Sequence, residues 1–193
     1  MNRSLKNFLW RALILVNILS IMTITYPTLS ARVQRKYKHE AKIIATYDAA
    51  NDKTILAMFP YKVRINNDDN NESIAIAAGV TFAGKSLDST PRFVEFGVLS
   101  QSRLGFQFKN DRRLVAVVDG DRLLLGEMNI IKARTFTIAT TYFREDLNLI
   151  LPYDLYMKIA NAKKVVLQVG QEVMELTKDH LEALRDLGSQ ITR

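Results

Sequence analysis

Leu114-Val115-Ala116-Val117-Val118-Asp119-Gly120-Asp121-Arg122-Leu123-Leu124-Leu125 is the stretch on which the fold turns. Five apolar residues, three of them valine, run into Asp-Gly, and a second apolar run follows. Asp-Gly accepts the positive φ angles of a tight hairpin turn, so two antiparallel strands are predicted here.

The same grammar continues outward. On the C-terminal side, residues 135–139 form a further β run. Residues 164–169 and 172–176 make a second hairpin around Gly170-Gln171. On the N-terminal side, residues 42–48, 54–59 (continuing past Pro60 to Val63), 73–82, 92–98 and 104–108 read as strands, by β-branched content or by alternation. Asn66 to Glu72 is polar enough for a loop tip. Two helices interrupt the sheet pattern. Residues 152–160 predict a short helix with Pro152 in its first turn. Thr177 is the expected N-cap of the last helix, Asp179 sits in its first turn, and Leu181, Leu184 and Leu187 make an apolar stripe that Gly188 is expected to terminate. The fold class expected is therefore mostly β: a small antiparallel β-sandwich or half-open barrel, with a short helix and a C-terminal amphipathic helix.

The first 31 residues belong to a different chemistry. Arg3, Lys6 and Arg11 are followed by an apolar run from Ala12 to Thr25, then Tyr26-Pro27 and the small residues around Ser30-Ala31. This basic, apolar, small order is that of a secretory signal peptide. If Phe8 to Trp10 are counted past Arg11, the run approaches the roughly 20 residues that span a bilayer, so a retained inner-membrane anchor is the alternative. The domain organisation expected is a signal or anchor over 1–31, a basic arm over 32–42 and a single β-rich domain over 43–193. Location is expected to be exported, periplasmic or secreted.

Charge sharpens this division. The chain has 27 Lys+Arg against 20 Asp+Glu, a net +7. Three of the basic residues lie in 1–31, and Arg32, Arg35, Lys36, Lys38 and Lys42 lie in the arm against Glu40 alone. What remains is neutral, nineteen of each sign. Nucleic-acid binding, which needs a clustered basic surface on the fold, is accordingly not expected. The arm reads as a solvated linker, or as a segment that could touch anionic lipid. There is no cysteine. Disulfides, thiol catalysis, cysteine-type zinc sites and a lipoprotein anchor are excluded, and packing alone must hold an exported domain of roughly 150 residues.

Gly79-Val80-Thr81-Phe82-Ala83-Gly84-Lys85-Ser86 matches the phosphate-loop spelling, but Leu87-Asp88-Ser89-Thr90-Pro91 is turn chemistry where a helix is required. Lys85 is therefore expected at a strand end and not on a nucleotide. His39 and His180 have no ligand-spaced neighbours and are expected at the surface. Asp68, Asp69, Asn70 and Glu72 could gather a calcium ion but lack the EF-hand order, and read as a solvated loop. Asp119, Asp121 and Glu127 could serve glycoside chemistry as paired carboxylates, or simply decorate a hairpin. Tyr153, Leu155, Tyr156, Met157 and Ile159 could face a ligand, or pack the short helix on the sheet. No catalytic, cofactor-binding or metal-binding residue and no cofactor is assigned.

The tail half carries a resemblance. Residues 118–127, with Asp119-Gly120-Asp121, then 151–165 with Leu151-Pro152-Tyr153-Asp154-Leu155-Tyr156 and Ala160-Asn161-Ala162, then 168–176 with Gly170-Gln171, then 181–186, resemble a family of uncharacterised exported bacterial β-sandwich proteins. The resemblance implies an envelope origin and a compact β fold, and it transfers no functional residue. The expected function is a non-enzymatic binding or structural module of the envelope. The expected partner is another envelope protein or a cell-surface component. The alternative is a small hydrolase or ligand carrier using scattered carboxylates.

Overall fold

The computed structural model describes residues 37–66, 72–87, 89–137 and 140–191. The expected signal or anchor, the first half of the arm, and Asp68, Asp69 and Asn70 lie outside them. Residues 35–193 form one compact unit, so the end of the arm belongs with the β-rich domain.

Among the described residues, ten strands and two helices follow in chain order: β1 (Ile43–Asp48), β2 (Lys53–Asn66), β3 (Glu72–Ala83), β4 (Phe93–Ser102), β5 (Arg113–Val118), β6 (Asp121–Glu127), β7 (Asn129–Thr137), β8 (Thr141–Pro152), α1 (Tyr153–Asn161), β9 (Val165–Val169), β10 (Glu172–Leu176) and α2 (Lys178–Ile191). A six-stranded sheet has the order β1-β2-β3-β4-β8-β7, and a four-stranded sheet the order β10-β9-β5-β6. Every pairing is antiparallel. The molecule is thus a mostly β, two-sheet sandwich with a C-terminal helix, and its sheets do not close into a barrel.

Period-two alternation decides which side of each strand is buried. Val94, Phe96 and Val98 of β4 and Leu147 and Leu151 of β8 face the core. There they meet Leu114, Ala116 and Val118 of β5 and Val165, Leu167 and Val169 of β9. The helices complete the core with Tyr156 and Ile159 from α1 and the expected stripe Leu181, Leu184 and Leu187 from α2, each at most 2% exposed. No helix among the described residues is long and apolar enough to cross a membrane.

The Asp-Gly hairpin forms as its spelling requires. Asp119 and Gly120 have φ +52° and +100°, which only a primed turn uses. Asp119 does more than turn the chain. Its Oδ1 accepts the backbone N–H groups of Lys163 and Lys164 at 2.9 and 2.8 Å, tying the hairpin to the start of β9.

Four expectations are corrected. Residues 104–108 are not a strand: Phe108 turns into the core, and its N–H donates to the buried Glu145 carboxylate at 3.0 Å, so a side chain replaces the ladder. The strand β8 was not expected at all. Gly188 does not end α2, which continues to Ile191; instead a Cβ there would stand 2.7 Å from Met157 Sδ, so the missing side chain lets α1 and α2 approach. Finally, neither histidine is a surface residue: His39 is 9% and His180 5% exposed.

The histidines are buried because each has a full-time structural partner. His180 is the third residue of α2 and closes a capping box with Thr177. The His180 N–H donates to Thr177 Oγ1 at 3.4 Å, and the Thr177 N–H donates to His180 Nδ1 at 3.0 Å, while Nε2 donates to the Lys62 carbonyl at 2.9 Å. His39 reaches Asp186. Around it the described end of the arm is clasped to α2. The Lys38 N–H donates to Glu182, the Glu40 N–H to Asp179, and the Tyr61 hydroxyl also to Asp179. Asp179, Glu182 and Asp186 lie on one face of α2 by their spacing of three and four.

Candidate functional site

Most residues singled out in the sequence are occupied by structural work. Lys85 follows the end of β3, and among the described residues before β4 no helix begins. Its ammonium instead lies 5.1 Å from the Tyr47 ring. Asp121 pairs with Lys158 and Glu127 with Arg112. Asp121 is opposite Val118 and Glu127 opposite Arg113, at the two ends of β6. That places them about 20 Å apart along the strand, beyond any glycosidase pair of carboxylates. On α1, Tyr156 and Ile159 are buried, and the Tyr156 hydroxyl donates to the Leu184 carbonyl at 2.7 Å. Burial raises that phenol well above its ordinary range. These residues pack the helices. No group of three or more metal-ligating side chains occurs among the described residues. A recess of about 450 Å³ lies between the arm and α2, and two of its lining residues, Asp179 and Glu182, are those that hold the arm.

A different region gathers side chains that do no such work. It is the ribbon of β7 and β8 at the margin of the six-stranded sheet. In this pair Lys132 is opposite Asp146, Arg134 opposite Arg144, and Phe136 opposite Tyr142, after a bulge between Ile130 and Lys132. Leu147 points into the core, so by alternation Tyr142, Arg144, Asp146 and Asn148, with their cross-strand neighbours, occupy the outer face. The Phe136 and Tyr142 rings stack with centroids 5.4 Å apart. The Arg134 guanidinium lies 5.9 Å from the Phe136 centroid. The Arg103 guanidinium lies 5.3 Å from the Tyr142 centroid and donates to its hydroxyl at 3.0 Å. The face is thus a short alternation of cations and aromatic rings on an otherwise charge-balanced domain.

The carboxylate in this column is engaged at one oxygen, while Asp146 Oδ2 is buried without a hydrogen-bond partner among the described residues. Arg144 Nε donates to Asp146 Oδ1 at 2.8 Å, and Asp146 is 2% exposed. Next along β8, the Asn148 amide donates to Glu95 of β4. Burial raises the Glu95 carboxyl above the ordinary glutamate range, while the Asn148 bond works the other way.

β7 itself is an edge. It pairs with β8 on one side, and among the described residues no strand lies on the other. Seven of its nine residues are exposed. The other edge strands β1, β6 and β10 have six, seven and five residues, so β7 offers the longest free edge. Comparison of the chain with protein-family models, with curated proteins and with solved structures returned no match. The site therefore stands on its own geometry.

None of these ribbon residues was a candidate in the sequence. The signal was present as interleaved alternation, with Lys132, Arg134 and Phe136 on one side, and Phe143, Glu145 and Leu147 set against Tyr142, Arg144 and Asp146. The charged run Arg144-Glu145-Asp146 hides it, because one of its carboxylates points inward to bond the Phe108 N–H.

Proposed function

We propose that this chain is an exported, non-enzymatic binding module of a bacterial cell envelope, and that it takes its partner along the free edge of β7. The observation that carries the binding half is the length and exposure of that edge. Its outer row of backbone N–H and C=O groups has no strand beside it among the described residues, and such a row is a template for strand addition. Sheets that must stay inert keep their edges short or cover them. Here the edge is long, and only its bulge and two charged side chains temper it. A selective docking edge fits that combination. The export half is supported by the basic, apolar and small order of residues 1–31.

Two measurements test the reading. Mass spectrometry of the protein recovered from bacterial envelope fractions should give an N-terminus near Ala31 or Arg32, or an intact Met1 in the inner membrane if the segment is a retained anchor. An intact chain in the cytosol contradicts export. A photo-crosslinking residue placed at Ala133, in the middle of the exposed edge, should give a discrete adduct in cells, whereas the same residue at Asn51, in the turn before β2, should not. An Ala133 probe that gives no adduct contradicts the edge as the recognition surface.

A further inference from the structure

We propose that the occupant of the β7 edge is an extended acidic strand of another protein, which adds to the sheet as a seventh strand with carboxylates over Lys132 and Arg134; this rests on the edge reading above. Positive charge is left over on this face. Lys132, Arg134 and Arg144 share the outer face of the ribbon with one carboxylate, Asp146, whose Oδ1 is bonded by Arg144. Arg134 faces Arg144 directly across the ladder, and Asp146 neutralises Arg144 alone, so Arg134 is left as the unpaired cation of a like-charge pair. Neither Lys132 nor Arg134 has a hydrogen bond or ion pair among the described residues, and both are exposed. A strand laid beside β7 projects every second residue onto this face, in the same spacing as Lys132 and Arg134. Acidic residues at two such alternate positions would meet both cations. The third position would lie beside Phe136 and its stack with Tyr142, a place for an aromatic or β-branched residue.

The same charges argue against a second copy of this chain. Antiparallel pairing of β7 with itself about Ala133 sets Lys132 of each copy opposite Arg134 of the other. Slipping by two residues sets Lys132 against Lys132, or Arg134 against Arg134. Each of these registers about the middle of the edge brings cations together, so central self-pairing is repelled and the edge remains open to an acidic segment.

The probe is an end-blocked peptide alternating Glu and Val and matching β7 in length, with Lys replacing Glu in the control. Fluorescence anisotropy against the full chain should show binding of the Glu peptide and none of the Lys peptide. N-methylation of every second amide should abolish binding in one phase and spare it in the other, since only one set of amides faces the edge. Lys132→Glu with Arg134→Glu, at two exposed positions, should leave the circular dichroism unchanged, weaken the Glu peptide roughly tenfold and admit the Lys peptide. Equal binding of the two N-methylated phases would mean simple charge attraction and overturns strand addition. An Ala133 crosslink to a cellular protein, combined with failure of the Glu peptide to bind, leaves the edge as a recognition surface but overturns its acidic partner. An Ala133 adduct of twice the chain mass overturns the proposal in favour of self-pairing.

Discussion

His39 Nε2 lies 2.9 Å from Asp186 Oδ2, and 147 residues of sequence separate them. The pair is buried, with side chains 1% and 5% exposed. It fastens the last residues of the basic arm to the face of the final helix, so the segment that leaves the N-terminal region enters the domain at a fixed point. The Lys38 and Glu40 amides bonded to Glu182 and Asp179 extend the clasp along two turns of α2.

Removing the imidazole should therefore loosen the arm as well as cost stability. His39→Ala leaves a buried Asp186 oxygen without its partner, at a cost of about 1.5–3 kcal/mol. Asp186→Asn added to that variant should cost much less than it does in the wild-type chain, since the two groups share one interaction. Urea unfolding measures both. Limited trypsin digestion should cut at Lys38 and Lys42 much sooner in His39→Ala. An unchanged unfolding midpoint with unchanged cleavage would show that the backbone bonds alone hold the arm.

The α1–α2 contact makes a test with an internal control. The Cβ of Gly188→Ala would stand 2.7 Å from Met157 Sδ and 3.6 Å from the Tyr156 ring. Overpacking of this kind costs about 1–3 kcal/mol. Met157→Ala removes the obstructing sulfur, so Gly188→Ala should cost clearly less in that background. Thermal melts of the four proteins give the coupling, and additive effects would mean that the helices simply slide apart.

At the central turn, Gly120 has φ +100° with open space around its Cα. Gly120→Val meets no neighbour, so whatever it costs is backbone strain, about 1–3 kcal/mol. Gly120→Asn should recover part of the loss, because Asn tolerates positive φ. Melting temperatures of the two variants separate the strain from packing, and identical temperatures for valine and glycine would place the turn in another conformation.

Glu95 should give the domain a stability that declines with rising pH. Burial raises its carboxyl above the ordinary value of 4.5, so the folded chain binds its proton more tightly than the unfolded chain does. Its contribution is complete below the unfolded pKa and is lost as the pH rises through the folded one. Glu95→Gln keeps an acceptor for Asn148 and cannot ionise. Relative to wild type, the variant should gain stability as the pH is raised to neutrality, and the two should converge as it is taken below 4.5. A constant difference between their unfolding curves across this range would place the carboxylate in water.

The local elements were legible in the sequence because their causes are local. Positive φ at Asp119-Gly120, the Thr177 cap and the leucine spacing of α2 each depend on residues a few positions apart, and each appears where its pattern requires. The neutral charge of residues 43–193 and the lack of disulfides were also fixed by composition. What the chain could not announce depends on residues brought together from afar. β8 looked too polar for a central strand until Glu145 met the Phe108 amide and Asp146 met Arg144. His39 looked like a surface residue until α2 supplied Asp186. Gly188 looked like a helix stop until Met157 filled the space above it. The candidate edge follows the same rule. Lys132 and Arg134 are ordinary cations in the sequence, and only the strand order, which puts β8 on one side of β7 and no described strand on the other, leaves their backbone open and their charges without partners among the described residues.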